Sequence, residues 1–252
     1  MRRLFLLMWW FVGIAPAIAA PAFQSQEELA RWFTFYYLKP ELNRVPDAIR
    51  YMSEAGVFDN RNAIPPMFGF LSGVFRDNPE KVSGLVDQLS SLREQDVGVV
   101  VLGLWYAALP DSQRAAYALI NKHPQLKFEF EYLYKGTPIA IETIPLEQGP
   151  WVLDALWGKF MATGNSAAVE RVMSALPWVD AAGDTARLVI GAAASWSLTS
   201  NAAQHNRVLE ICEGAEKTQS VEIAAKLNEV IKEARKERQS QQNPAGNAGT
   251  AK

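Results

Sequence analysis

The chain contains one cysteine and two histidines in 252 residues. Cys212 has no second cysteine to pair with, so no intramolecular disulfide framework organises the fold. It also lies far from the N-terminus, where a lipoprotein acylation signal would need it. A lone cysteine escapes mispairing in an oxidising compartment. That suits a bacterial periplasm or culture medium better than a disulfide-rich secreted domain. Neither histidine has a second histidine or cysteine at ligand spacing, so no metal or other cofactor is expected. The G-x-S-x-G, H-E-x-x-H, P-loop and Rossmann fingerprints are also missing.

Positive charge is not in excess. The 25 basic residues stand against 27 acidic ones. Without Arg2 and Arg3, 23 basic residues remain against 27, a net of −4. A nucleic acid or an anionic membrane surface would favour concentrated positive charge, so neither is expected as the main partner. Beyond the first twenty residues, the longest apolar run is Val97 to Leu109, 13 residues. It is too short to span a bilayer and predicts a buried core helix, with no stable membrane insertion of the mature chain.

The first twenty residues, MRRLFLLMWWFVGIAPAIAA, have the organisation of an export signal. Arg2 and Arg3 form a positive n-region, Leu4 to Ile14 an apolar h-region, and Ala17-Ile18-Ala19 places small residues before a cut. Cleavage is expected after Ala19, with Ala22 as an alternative site and an uncleaved membrane anchor as the competing reading. The expected location is the periplasm or the medium. About 230 residues then remain, enough for one large domain or two small ones.

Helical periodicity dominates the remainder. Ser25-Gln-Glu-Glu28 forms a capping box, opening a segment with Leu29, Trp32, Phe33, Tyr36 and Tyr37 at helical spacing up to Pro40. Helices are predicted next in PDAIRYMSEAG, then in the pairs IPPMFGFLSGVFRDN with PEKVSGLVDQLSSLR and Val97–Ala108 with DSQRAAYALINKH. They resume with GPWVLDALWGKFMATG, NSAAVERVMSALP, DTARLVIGAAASWSLTSNA and HNRVLEICEGAEK. The last runs from about Ser220 to Arg238, followed by a polar tail, 239–252, expected to be disordered. Between His123 and Gly149 the regularity breaks. Phe128-Glu-Phe-Glu-Tyr132 alternates as a strand does, so a two-stranded ribbon is one reading; an ordered connection packed on the helices is preferred.

Leu71–Leu89 resembles Leu156–Leu176: both have Leu-x-Gly-x-Phe closing a bulky helix, a polar turn, and a second helix. Ser195–Ala215 is a fainter third copy. The expected fold is therefore all-α, built of antiparallel helix pairs in an irregular α-solenoid-like array or helical bundle, in one domain over residues 20–238. The segments WFTFYYLKP, PPMFGFLSGVF and LDALWGKFMATG resemble uncharacterised, exported helical proteins of Gram-negative bacteria. The resemblance implies a Gram-negative source and a helical fold, and it carries over no functional residue.

Chemistry is sparse. Cys212 and His205 lie seven residues apart and could form a nucleophilic pair, although Cys212 falls on an apolar face where an inert thiol is expected. The run Lys232–Arg238 mixes charges and predicts a solvated helix end. Most aromatic rings are expected to fill the core, with Trp178, in a loop after Pro177, a candidate for partial exposure. The connection carries Phe128, Phe130, Tyr132 and Tyr134 among Glu129, Glu131 and Lys135. That mixture suits a recognition surface for a protein or peptide, or else rings that plug a gap between two helical halves. The expected function is non-catalytic binding or scaffolding in the cell envelope. The alternatives are an envelope-acting hydrolase using Glu129, Glu131, Glu142 and Glu147, or a secreted factor acting on another cell.

Overall fold

The computed structural model describes residues 23–242. The predicted export signal, residues 1–19, therefore lies outside the described residues. Twelve α-helices form the described region, and no strand occurs among the described residues. The fold is all-α.

The sequence signals for helix starts take physical form. Ser25 Oγ accepts from the Glu28 backbone N–H at 3.1 Å, capping α1 (Gln26–Thr34). The Glu28 carboxylate reaches back to the N–H of Gln24 at 2.8 Å, one residue beyond the usual reciprocal partner. Proline occupies the first turn of α2 (Val45–Glu54), α3 (Ile64–Asp77), α6 (Pro110–Lys122) and α7 (Pro124–Glu129), where its missing N–H costs nothing. The first helix stops earlier than its aromatic spacing suggests. The chain breaks at Phe35 into a 3-10 turn, Tyr36–Leu38, which turns Tyr36 into the core. One continuous helix would have spread those rings around more than half its circumference.

The centre of the molecule is α3. It packs on α5 (Glu94–Tyr106) and, more extensively, on α8 (Trp151–Thr163), and every residue from Met67 to Phe75 is buried. Small residues make the closest approach. Gly69 lies against the backbone of Ala155, and Gly73 against Lys159 and Ala162, so α3 and α8 run in the same direction. Gly158 meets the backbone of Pro66 and Phe70, and Gly103 of α5 meets Leu71. The two Leu-x-Gly-x-Phe motifs thus lie on helices that face each other directly.

The other helices extend this centre. Next along the chain from α3 is α4 (Val82–Leu89), which packs on α2, α5 and α6. On the far side, α9 (Ser166–Met173) packs on α8, α10 (Thr185–Gln204) and α11 (Asn206–Glu216). The final helix, α12 (Val221–Gln242), packs on α10 and α11. This last helix continues past Arg238, the predicted boundary of the tail. Arg238 is tied down by the Ala202 carbonyl and by Asn206 Oδ1, which holds that turn onto the α10–α11 corner. Residues 243–252 of the predicted tail lie outside the described residues.

Buried polar groups in the interior are mostly matched. Asp96 of α5, 1 % exposed, accepts from Ser53 of α2 and from Arg93 Nε at 2.6 Å, while Arg93 also reaches Asp59 at 3.1 Å. Lys159 of α8, 5 % exposed, is paired with Glu142 at 2.6 Å and so ties the connection to α8.

Candidate functional site

The connection between α6 and α8 is built from helical turns. The short helix α7 leads into 3-10 turns at Glu131–Lys135, Ile141–Thr143 and Leu146–Gln148. The alternating Phe-Glu-Phe-Glu-Tyr run is therefore not a strand, and the ribbon reading is corrected. The sequence contains the reason. Leu126, Phe130 and Leu133 recur at spacings of four and three, and all three are buried.

This inward stripe separates the four predicted aromatic residues. Phe130 is 3 % exposed, with its ring edge 3.3 Å from where a Cβ on Gly98 would lie. It supports the segment from below and presents no ring to a partner. Phe128 is 88 % exposed, Tyr132 56 % and Tyr134 46 %, and Ile139 nearby is also exposed. Tyr134 stacks on Tyr117 of α6, with ring centroids 4.7 Å apart and planes 10° off parallel. The Tyr117 hydroxyl donates to the Leu133 carbonyl at 3.1 Å, which fixes the turn beneath it. Large rings are therefore displayed on a segment whose other side is anchored. The Lys135–Glu131 ion pair at 2.9 Å lies on the exposed rim.

Trp178 is half-buried in the turn Leu176–Asp180, with the Arg187 guanidinium 4.9 Å from its ring. The most exposed tryptophan among the described residues is instead Trp196 on α10, where Leu188 and Val189 are also exposed. Val189 and Trp196 are seven residues apart and so share a helix face, away from the buried Ile190, Ala194 and Leu198.

Three of the four carboxylates of the competing hydrolase reading are held in ion pairs. Glu142 is held by Lys159, Glu131 by Lys135, and Glu147 by Arg187 at 3.0 Å. Each is engaged by a different cation on a different element. Cys212 is fully buried, and burial pushes its thiol up to about 12, so it carries little thiolate at neutral pH. His205 is also buried, but its Nδ1 lies 3.2 Å from the Tyr37 hydroxyl, and Nε2 has no hydrogen-bond partner in the structure. His205 and Cys212 are not joined by a hydrogen bond. No group of three or more His, Cys, Asp or Glu able to hold a metal ion occurs among the described residues. No helix among them is long and apolar enough to cross a membrane.

No family model, curated protein or solved structure matches this chain.

Proposed function

We propose that this chain is an exported, non-catalytic binding or scaffolding protein of the cell envelope, and that it takes a protein or peptide partner on Phe128, Tyr132 and Tyr134. The observation that carries the reading is Phe128. An aromatic ring 88 % exposed on a short helix, above a buried Leu126–Phe130–Leu133 stripe, loses apolar hydration only when something covers it. Its support is preformed, so a partner would not have to order the segment on binding. Aromatic residues on a fixed support, with charge at the rim, are the usual anchors of protein recognition.

The test is affinity capture from envelope extracts with the parent protein and with Phe128→Ala. A specific partner retained by the parent and lost by a variant that melts normally supports the reading. A partner retained equally by both would overturn the assignment of this surface. Hydrolysis of murein or a peptide, abolished by substitution of one acid, would support the enzymatic alternative.

A further inference from the structure

Among the described residues α10 is the second-longest helix, 20 residues from Thr185 to Gln204, and Arg187 is its only charged side chain. That guanidinium is already engaged, 3.0 Å from Glu147 and 4.9 Å from the Trp178 ring. From Leu188 to Gln204 no residue carries charge. The one longer helix, α12, has Glu, Lys or Arg in every turn up to Arg238, the ordinary composition of a helix with a face in water. A helix without charge on any face is normally covered on all sides. α10 is not. Its stripe of Ile190, Ala194, Leu198 and Ala202 is buried, and another side lies in water.

That open side has an order of its own. Thr185, Val189, Ala192, Trp196 and Thr199 recur at alternating spacings of four and three, the repeat of a coiled-coil seam. The first four are exposed, Val189 at 51 % and Trp196 at 73 %, and Thr199 is half-buried. Ala192 and the half-buried Ala193 make the seam shallow one turn before the large indole. Trp196, Val189, Leu188 and Ala192 with their neighbours present on the order of 500 Å² to water. Two such faces together bury on the order of 1,000 Å², the lower limit of a specific interface.

We infer that this face packs on the same face of a second copy of this chain, the two α10 helices running antiparallel about a two-fold axis. Under two-fold symmetry a patch meets itself, so a charge near the axis would face its own like charge. A face with no charge is what such a contact requires. A charged partner would instead lose hydration here and find no counter-charge. Overlap of the two helices about their midpoint, near Ala194, sets Trp196 of each copy against Ala192 of the other, and Val189 against Thr199. Large side chains then meet small ones in both central layers, as knobs meet holes. Antiparallel packing also places the positive N-terminal end of each helix beside the negative C-terminal end of the other. The tail 243–252, NPAGNAGTAK, has no aromatic or large aliphatic residue with which to cover an indole.

The test is sedimentation velocity of the purified protein from about 1 µM to about 500 µM. The parent is expected to pass from monomer to dimer with a midpoint of about 10–100 µM, in keeping with the small area. Ala192→Glu and Trp196→Lys should each weaken dimerisation at least about tenfold. At about 1 µM, where all are monomers, both variants should melt like the parent, since both positions are exposed. An equimolar mixture of the two variants should form a dimer tighter than either alone, because the antiparallel register sets position 192 of one copy against position 196 of the other. Three results would overturn the inference: a monomer throughout the range, a dimer unaffected by either substitution, or a mixture no tighter than its components. In the first case, co-sedimentation of the parent but not of Trp196→Lys with phosphatidylcholine vesicles would reassign the face to lipid.

Discussion

A Cβ atom placed on Gly158 would lie 1.8 Å from the carbonyl oxygen of Pro66. The backbones of α8 and α3 approach so closely there that no side chain fits between them. Gly69 has the matching position on α3, where a Cβ would lie 2.0 Å from the Ala155 oxygen. The obstacle in both cases is backbone, which cannot rotate aside as a side chain can.

Gly158→Ala and Gly69→Ala should therefore each destabilise the protein by about 3 kcal/mol or more, because the central helix pair must separate to admit one methyl group. Gly84→Ala is the control. Nothing lies within 4 Å of a Cβ at that position on α4, so alanine should stabilise by about 0.5–1 kcal/mol through helix propensity. Urea denaturation of the three variants checks both signs. Equal effects at Gly84 and Gly158 would contradict the packing.

Phe128 and Phe130 are two residues apart and should behave oppositely. Phe130→Ala removes a buried ring and should cost about 3–4 kcal/mol. Phe128→Ala should change stability by less than about 0.5 kcal/mol, since the ring is already in water. Thermal melts of the two variants distinguish them, and a large loss of stability in Phe128→Ala would mean that its ring is packed.

The pair of Lys159 and Glu142 joins the connection to α8. Glu142→Gln leaves a buried ammonium without its counter-charge and should cost about 3 kcal/mol. The double variant Lys159→Met with Glu142→Leu should recover most of that loss, because the apolar pair strands no charge. A double-mutant cycle by denaturation measures this. If the double variant were as unstable as Glu142→Gln alone, the buried charge would not be the cause.

His205 should make stability depend on pH. Burial, with Arg238 adding to it, pushes its pKa from the ordinary 6.5 down to about 4. Unfolding restores the ordinary value, so between these limits the unfolded chain binds a proton that the folded chain refuses. The stabilisation is complete above about pH 6.5 and is lost as pH falls through about 4, by about 3 kcal/mol in total. Tyr37, Arg207 and Glu210 lie beside the imidazole and are common to the parent and to a His205 variant, so comparing the two isolates the imidazole. Denaturation curves from about pH 7 to about pH 4.5 should show a slope that His205→Gln flattens. An unchanged slope in the variant would exclude His205 as its source.

Cleavage after Ala19 remains the expectation for the mature N-terminus, and it would retain Phe23. That ring is 1 % exposed, packs edge-on to Trp32 at 5.2 Å and lies under the Arg44 guanidinium at 4.2 Å. Mass spectrometry of the native protein checks the cut. An intact Met1 would contradict it.

The sequence by itself determined the helices. Caps, first-turn prolines and 3.6-residue periodicity act over a few residues, so Ser25, Pro46 and Asn165 specified starts that the structure keeps. It also contained the Leu126–Phe130–Leu133 stripe, although the period-2 alternation over the same residues obscured it. Tertiary structure decided the partners. Leu-x-Gly-x-Phe was legible twice as a local pattern, but nothing local says that Gly73 and Gly158 lie at one interface, because that contact joins residues far apart in the chain. The His205 corner has the same origin. Tyr37, Gly164 and Arg238 come from three distant segments, and only the packing of α8, α10, α11 and α12 brings them around one buried imidazole. Short-range hydrogen bonding and steric preference fix a helix where it is written, whereas burial depends on which surface is pressed against it.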